Sequence, residues 1–371
     1  MTLLNRFLAS GLLAMLAMLA AGSVLAQVAA GLPAPVEEKL DRLIATEMAR
    51  RQIPGLSVAV TVGNGPVWAK GYGFADLENF VPATERSRFR LASISKPITA
   101  VALLQQVEQG KASLNDDVRK HVPTFPEKQW TVTLELLLGH LGGVRGYRDG
   151  ETQSTRHYPN VRDGLAMFAA DPLEHEPGTK YLYSSYGFNL AGAAAEAIAG
   201  QPFRQLLAER VFRPAGMQHA RDDHPFAIIP GRVEGYRKTK AGEIQNCVLA
   251  DTSNKVPGGG LIATATDVVL FGRAMLNGVL VKPETRERMW RPGRTKDGKP
   301  VSYGLGWNVA KFEGKARVFH GGGQPGTATF FDILPEEKIV VAVLTNLEGA
   351  EPKTISEEIL RLLLKAERSE E

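Results

Sequence analysis

Ser93 and Lys96 stand three residues apart in Phe89-Arg90-Leu91-Ala92-Ser93-Ile94-Ser95-Lys96-Pro97. If a helix begins here, that spacing puts the hydroxyl and the amine on one face, about one turn apart. A serine beside an amine is a nucleophile beside a base, the minimum for acyl transfer. The tetrad alone is a weak signal. A chain of 371 residues holds on the order of one Ser-x-x-Lys by chance, and a capping serine with a solvated lysine accounts for it equally well. A second group, Pro177-Gly178-Thr179-Lys180-Tyr181-Leu182-Tyr183-Ser184-Ser185-Tyr186-Gly187, offers tyrosines that could carry a proton. A free phenol titrates near pH 10, so a phenolate at neutral pH needs a neighbouring cation. Lys96 would supply that charge, and burial would lower the amine's own pKa. A buried ring with a wet hydroxyl is the bland alternative. The third group is Phe319-His320-Gly321-Gly322-Gly323. Glycines there let backbone approach a ligand and aim an N–H at it. That N–H, with the one of Ser93, would form an oxyanion hole. His320 could hydrogen-bond substrate or pass protons, or simply sit exposed on a tight turn.

These residues need elements to hold them. Apolar residues Val36, Leu40, Leu43, Ile44 and Met48 follow Pro35 at helical spacing, and Pro54-Gly55 ends that helix. Leu56–Val62 and Val67–Tyr72 read as a hairpin around Gly63-Asn64-Gly65. A helix follows Ser93 as far as Gly110, so its first N–H groups face the site and favour developing negative charge. The middle of the chain reads as mainly helical, with helices at Leu134–Leu138, Phe188–Gly200 and Phe203–Phe212. Gly258-Gly259-Gly260 opens a turn, after which Asp267 caps a helix through Leu276. Tyr303–Val309, Ala316–His320, Thr329–Leu334 and Lys338–Thr345 read as strands, and Ile355–Lys365 as a closing amphipathic helix. The pattern predicts an α+β fold: an antiparallel sheet built from both chain ends, flanked by helices, with an inserted, mainly helical lobe. The α/β lobe takes about 35–90 and 256–371, the helical lobe about 91–255, with a site in the cleft between them.

Composition narrows the function. The chain has 44% hydrophobic and 23% charged residues and a net charge of +4. Its charges are interspersed, so no nucleic-acid surface is expected. Residues 1–26 read as a signal peptide: Arg6, an apolar run from Leu12 to Ala21, and Val24-Leu25-Ala26 before Gln27. A linker at 27–34 and a single catalytic domain at 35–371 follow. An exported protein, periplasmic or secreted, is therefore expected, with no stable membrane span after cleavage. The one cysteine, Cys247, has no partner for an internal disulfide and reads as a small buried residue. His175-Glu176 has no ligand partner at helical spacing, and neither a P-loop nor Gly-x-Ser-x-Gly occurs, so no metal or cofactor is expected. His140 reads as a structural histidine, and Arg145 and Arg148 as solvated charge.

Taken together and in this order, the three groups resemble the serine β-lactamase and penicillin-binding-protein superfamily. The closer resemblance is to the class C β-lactamase-like family, which includes family VIII esterases, D-aminopeptidases and D-Ala-D-Ala carboxypeptidases. It rests on Leu91-Ala92-Ser93-Ile94-Ser95-Lys96, Leu136-Leu137-Leu138-Gly139-His140 with Gly142-Gly143, Pro177-Gly178-Thr179, Tyr183-Ser184-Ser185, Gly258 through Thr264, His320-Gly321-Gly322-Gly323 and Leu344-Thr345-Asn346. Glu108–Lys111, Phe125–Lys128 and Gly143–Tyr147 are also similar to the mitochondrial serine β-lactamase-like proteins of animals, which are regarded as filament-forming. The resemblance implies a β-lactamase/transpeptidase-like fold. It makes Ser93 the acylated nucleophile and Lys96 its amine partner. Tyr183 becomes base for acylation and acid for the leaving group. Ser93 and Gly323 supply the oxyanion N–H groups, and Ser185, His320, Gly321 and Gly322 meet substrate. Two departures matter. Tyr-x-Asn is here Tyr183-Ser184-Ser185, and His320 stands where the family has the lysine of Lys-Thr-Gly. Losing that fixed cation weakens recognition of the carboxylate on β-lactams. The expectation is an exported serine hydrolase acting on a small ester, amide or peptide, with weak β-lactamase activity at most. The alternative is a non-catalytic binding or filament-forming assembly module of the same fold. Whether the chain forms an oligomer or filament is left open.

Overall fold

The computed structural model describes residues 31–367. The expected leader at 1–26, and the linker up to residue 30, lie outside the described residues. Helix α1 (Ala34–Arg51) starts with a proline in its first turn, where a missing N–H costs nothing, and buries Leu40 and Ile44. The hairpin follows as β1 (Gly55–Val62) and β2 (Trp68–Asp76), with a short edge strand β3 (Val81–Pro82). Four more strands come from the other end of the chain: β4 (Asn308–Phe312), β5 (Lys315–Gln324), β6 (Thr327–Leu334) and β7 (Ile339–Thr345). They form one antiparallel sheet in the order β4-β5-β6-β7-β1-β2-β3. The first and last parts of the chain meet where β1 pairs with β7, Leu56 opposite Thr345 and Val62 opposite Ile339.

Alternation along these strands splits the core in two. Val58, Val60, Val341 and Val343 pack with Leu40, Ile44, Ile355 and Ile359 on the face covered by α1 and the closing helix. Ala59, Val340, Ala342 and Leu344 face the opposite way and join the larger core of the helical part. Strands β1 and β7 are apolar at nearly every position because both faces are covered.

Helix α2 (Ser95–Glu108) runs through the middle of the helical part, buried continuously from Ser95 to Leu104. Helix α3 (Ser185–Ala199) and the short helix α4 (Val256–Gly259) pack against it. Helix α5 (Ala265–Leu276) lies under the sheet, and α6 (Pro352–Glu367) closes the chain.

Four expectations shift. The strand expected at Tyr303–Val309 forms later, at β4, because the chain first crosses α2. Gly306 has φ +89°, and a Cβ there would lie 2.6 Å from Ala100 Cβ. The cap of α5 is Thr264 rather than Asp267. Asp267 closes a capping box instead, accepting from the Thr264 N–H at 3.1 Å while Thr264 Oγ1 accepts from its own N–H at 3.1 Å. The helix expected at Phe203–Phe212 is α-helical to Leu207 and continues as a π turn. Cys247 is half-buried rather than in the core, and lines a cavity of about 360 Å³ with Arg90, Phe226 and Leu249. No described helix is long and apolar enough to cross a membrane.

Strand β5 is held in place by charge as well as by its ladder. The buried Arg317 donates to Asp332 Oδ1 at 2.6 Å and Oδ2 at 3.0 Å, and to Glu357 Oε1 at 2.8 Å. Ser356 Oγ donates to Asp332 Oδ2 at 2.6 Å, joining β5, β6 and α6. Arg317→Met strands the buried Asp332 carboxylate and is expected to cost about 3–5 kcal/mol in chemical denaturation. A loss below about 1 kcal/mol, the worth of an exposed pair, would contradict this account of the network.

Candidate active site

Ser93 sits on a sharp turn between a strand and a helix. Phe89 and Arg90 pair with Ala263 and Ile262. Thr327 Oγ1 donates to Arg90 O at 3.2 Å and Thr329 Oγ1 to Leu91 O at 2.9 Å, tying the segment to β6. Ala92 then takes φ +47°, a left-handed conformation that costs a non-glycine residue about 1 kcal/mol or more. The chain enters a 3₁₀ turn at Ala92–Ile94, and α2 starts at Ser95. The Ile94 N–H donates to Leu91 O and the Ser95 N–H to Ala92 O. The Ser93 N–H falls in the first turn, where a helix supplies no acceptor.

Lys96 is fully buried. Its Nζ lies 2.9 Å from Ser93 Oγ, 3.0 Å from Ser185 Oγ and 2.6 Å from Gly258 O. Burial, and the charge of Lys255, hold its pKa well below the ordinary lysine value of 10.5. In the neutral amine two hydrogens serve Ser185 Oγ and Gly258 O, and the lone pair accepts the Ser93 O–H. Gly258 is a site residue that sequence reasoning treated only as part of a turn. A Cβ there would lie 2.7 Å from Ser185 O, so only glycine lets α4 bring its carbonyl to the amine. Asn189 Oδ1 accepts the Gly258 N–H at 3.1 Å and fixes that carbonyl's direction.

Tyr183 and Ser185 reach the site through a helix cap. Ser184 is the N-cap of α3: its Oγ accepts the Gly187 N–H at 3.0 Å and donates to Arg145 O at 2.6 Å. The Ser184 N–H donates to His140 Nδ1 at 3.0 Å. His140, with φ +57°, is buried, and burial pushes its pKa far down. It is a neutral Nε2–H tautomer that holds the Tyr183–Ser185 segment. Tyr183 is 39% exposed, but its hydroxyl end is enclosed and faces Ser93. Desolvation raises its pKa well above 10. With its pKa raised, Tyr183 stays a phenol at neutral pH. Tyr147, which sequence reasoning quoted but gave no role, lies against Ser185; burial pushes its phenol up to about 12. Arg145 is not solvated, as expected, but buried. It donates to Asp171 Oδ2 at 2.7 Å and to Glu151 Oε2 and Oε1 at 2.8 and 2.9 Å, bracing the loop under Tyr147. Arg148 is 59% exposed, 3.2 Å from Asp171.

Strand β5 brings its glycines against the Ser93 turn. A Cβ on Gly322 would lie 2.5 Å from Leu91 O and 3.0 Å from Ala92 Cβ. Gly323, opposite Ala328, is exposed and open around its Cα. His320 lies beside Tyr183, with ring centroids 6.3 Å apart. It is buried; Nδ1 donates to Gly321 O at 2.7 Å and Nε2 accepts from Tyr303 Oη at 2.9 Å. Burial, and Lys96, push its pKa down to about 3. Neither nitrogen is free and the ring carries no charge at neutral pH. Among the described residues no group of three His, Cys, Asp or Glu side chains could hold a metal ion.

The family model described as Beta-lactamase matches residues 40–365. The chain belongs to that family. The human serine beta-lactamase-like protein LACTB, mitochondrial, is 28% identical over 407 residues, covering 80% of this chain and 74% of its own. The octameric penicillin-binding protein homologue from Pyrococcus abyssi superposes with a TM-score of 0.76 at 26% identity, over 88% of this chain and 77% of that one. D-amino acid amidase from Ochrobactrum anthropi SV3 gives 0.79 at 20% identity, over 90% of this chain and 100% of that one, a likeness of fold. Family membership supports a serine hydrolase in general.

The fit of β5 against the Ser93 turn is testable. Gly322→Ala forces the two apart and is expected to lower kcat/KM for an activated ester roughly 100-fold, the usual effect of a displaced reacting group. A folded Gly322→Ala protein with full activity would contradict the packing.

Proposed function

We propose that the chain is an exported serine hydrolase that works through an acyl-enzyme on Ser93. The observation that carries this is the 2.9 Å contact between Ser93 Oγ and a buried Lys96 amine that has no carboxylate partner. Neutral Lys96 takes the Ser93 proton as Oγ attacks the substrate carbonyl. The oxyanion meets the N–H groups of Ser93 and Gly323. Tyr183, a phenol facing Ser93, passes a proton to the leaving amine or alcohol. Water then attacks the acyl carbon and gives a proton back to Tyr183, and Oγ leaves and takes its proton back from Lys96.

The environment of His320 favours esters, amides or peptides over β-lactams. No fixed cation stands at β5 to pair with a β-lactam carboxylate, because His320 is neutral and turned to Tyr303. That solved structures of similar fold include a D-amino acid amidase agrees with an amide substrate. The competing reading is a non-catalytic module, but nothing structural requires an assembly module to bury an uncompensated lysine against a serine.

A fluorophosphonate is expected to label the wild type and not Ser93→Ala, with the labelled band in the exported fraction of the source cells. Label independent of Ser93 would contradict the hydrolase reading, and label confined to the cytosol would contradict export. On purified enzyme, kcat/KM for a short p-nitrophenyl ester should exceed that for a chromogenic cephalosporin; the reverse order would sink the substrate assignment.

A further inference from the structure

Lys255 is a second buried lysine, and the mechanism above gives it no task. It ends the turn Ser253–Lys255 that leads into α4, three residues before the carbonyl that holds Lys96. Its side chain is as buried as the core, and its Nζ donates to Thr152 O at 3.0 Å. The amine lies 5.6 Å from the centre of the Tyr147 ring. Ser185 lies between that ring and the site, with its Oγ 3.0 Å from Lys96 Nζ. The two amines thus face each other across one tyrosine and one serine. Where the family pattern has an asparagine, this chain has the shorter Ser185. Among the described residues no carboxylate is ion-paired with either amine.

We propose that Lys255 is an electrostatic positioning residue: its ammonium, set behind Tyr147 and Ser185, disfavours a proton on Lys96 and keeps that amine available as the base for Ser93. The proposal rests on the serine-hydrolase reading. It gives the site a cation from a different element than β5, where His320 stands in place of lysine.

The surroundings set the order of protonation. Around Lys255 lie Arg90 on its strand, Asp251 on its own segment, Asp223 beyond the strand at Arg221–Asp222, and Tyr147 and Thr152 O on the loop. Its pKa is pushed down to about 8, by burial first and Arg90 second, with both carboxylates opposing. It therefore stays charged at neutral pH. Lys96 is faced by His140, His320 and Tyr183, all neutral, and by Lys255, so Lys255 is its one charged neighbour of consequence. Two like charges sharing a low-dielectric site separate their titrations, and the more buried Lys96 loses its proton first.

The test is the pH dependence of the second-order rate of Ser93 phosphonylation by a fluorophosphonate, read by intact mass. Wild type, Lys255→Met, Lys255→Gln and Lys255→Arg are compared, using variants whose circular dichroism and melting temperature show a folded protein. Lys255→Gln keeps a donor for Thr152 O, so a merely structural role predicts no change in its profile. The expected result is an acid limb moved up by about one pH unit in both neutral variants, with Lys255→Arg near the wild type. An unmoved limb in a folded neutral variant, or an Arg variant shifted as far as Met, overturns the role of Lys255 and leaves the hydrolase reading intact. A wild type that shows no label on Ser93 overturns both.

Discussion

A lysine buried without a carboxylate is the constraint on which this structure turns. Keeping an ammonium in such a place costs several kcal/mol even after relaxation. The fold meets Lys96 with two neutral hydroxyls and one carbonyl, which satisfy hydrogen bonds without neutralising a charge. Such a shell accepts the free amine more readily than the ammonium. The energetics of folding and the chemistry of the site therefore ask for the same protonation state. Desolvation likewise keeps the proton on the Tyr183 phenol.

Holding that shell together governs much of the surrounding packing. Gly258 has no side chain so that α4 can reach α3, and Gly192 has none because a Cβ would lie 2.3 Å from Pro257 Cγ. Gly306 clears α2, and Gly322 lets β5 lie against the nucleophile's turn. Each is a close approach between elements that are far apart in sequence. His140, Ser184 and Arg145 work at one remove, setting the start of α3 and so the height of Tyr183 and Ser185.

Much of this was legible in the sequence. Strands at both ends of the chain pointed to one sheet built from both termini, and the Ser93 tetrad with its companion motifs marked the candidate nucleophile. What stayed hidden was what depends on a side chain's surroundings. Arg145 reads as exposed from its Gly-rich neighbours, yet Glu151 and Asp171 enclose it. His320 reads as a substrate contact from its place in a motif, yet Tyr303, far from any recognisable pattern, takes its Nε2. Gly258 looked like turn punctuation because a carbonyl's role carries no residue-type signal.

Family membership and fold place this chain among serine hydrolases whose shared frame carries different charges at the site. Here a neutral, fully engaged histidine stands on β5 where the family has a lysine, and the proposed base is the buried Lys96 amine in the first turn of α2. The account stands on that amine being neutral. Its most direct test is the Nζ and Cε chemical shift of Lys96 in isotope-labelled protein, assigned by difference against Lys96→Arg and followed through neutral pH. The account predicts free-amine shifts at pH 7 and a titration midpoint far below the ordinary lysine value of about 10.4. Ammonium shifts persisting to alkaline pH would contradict it.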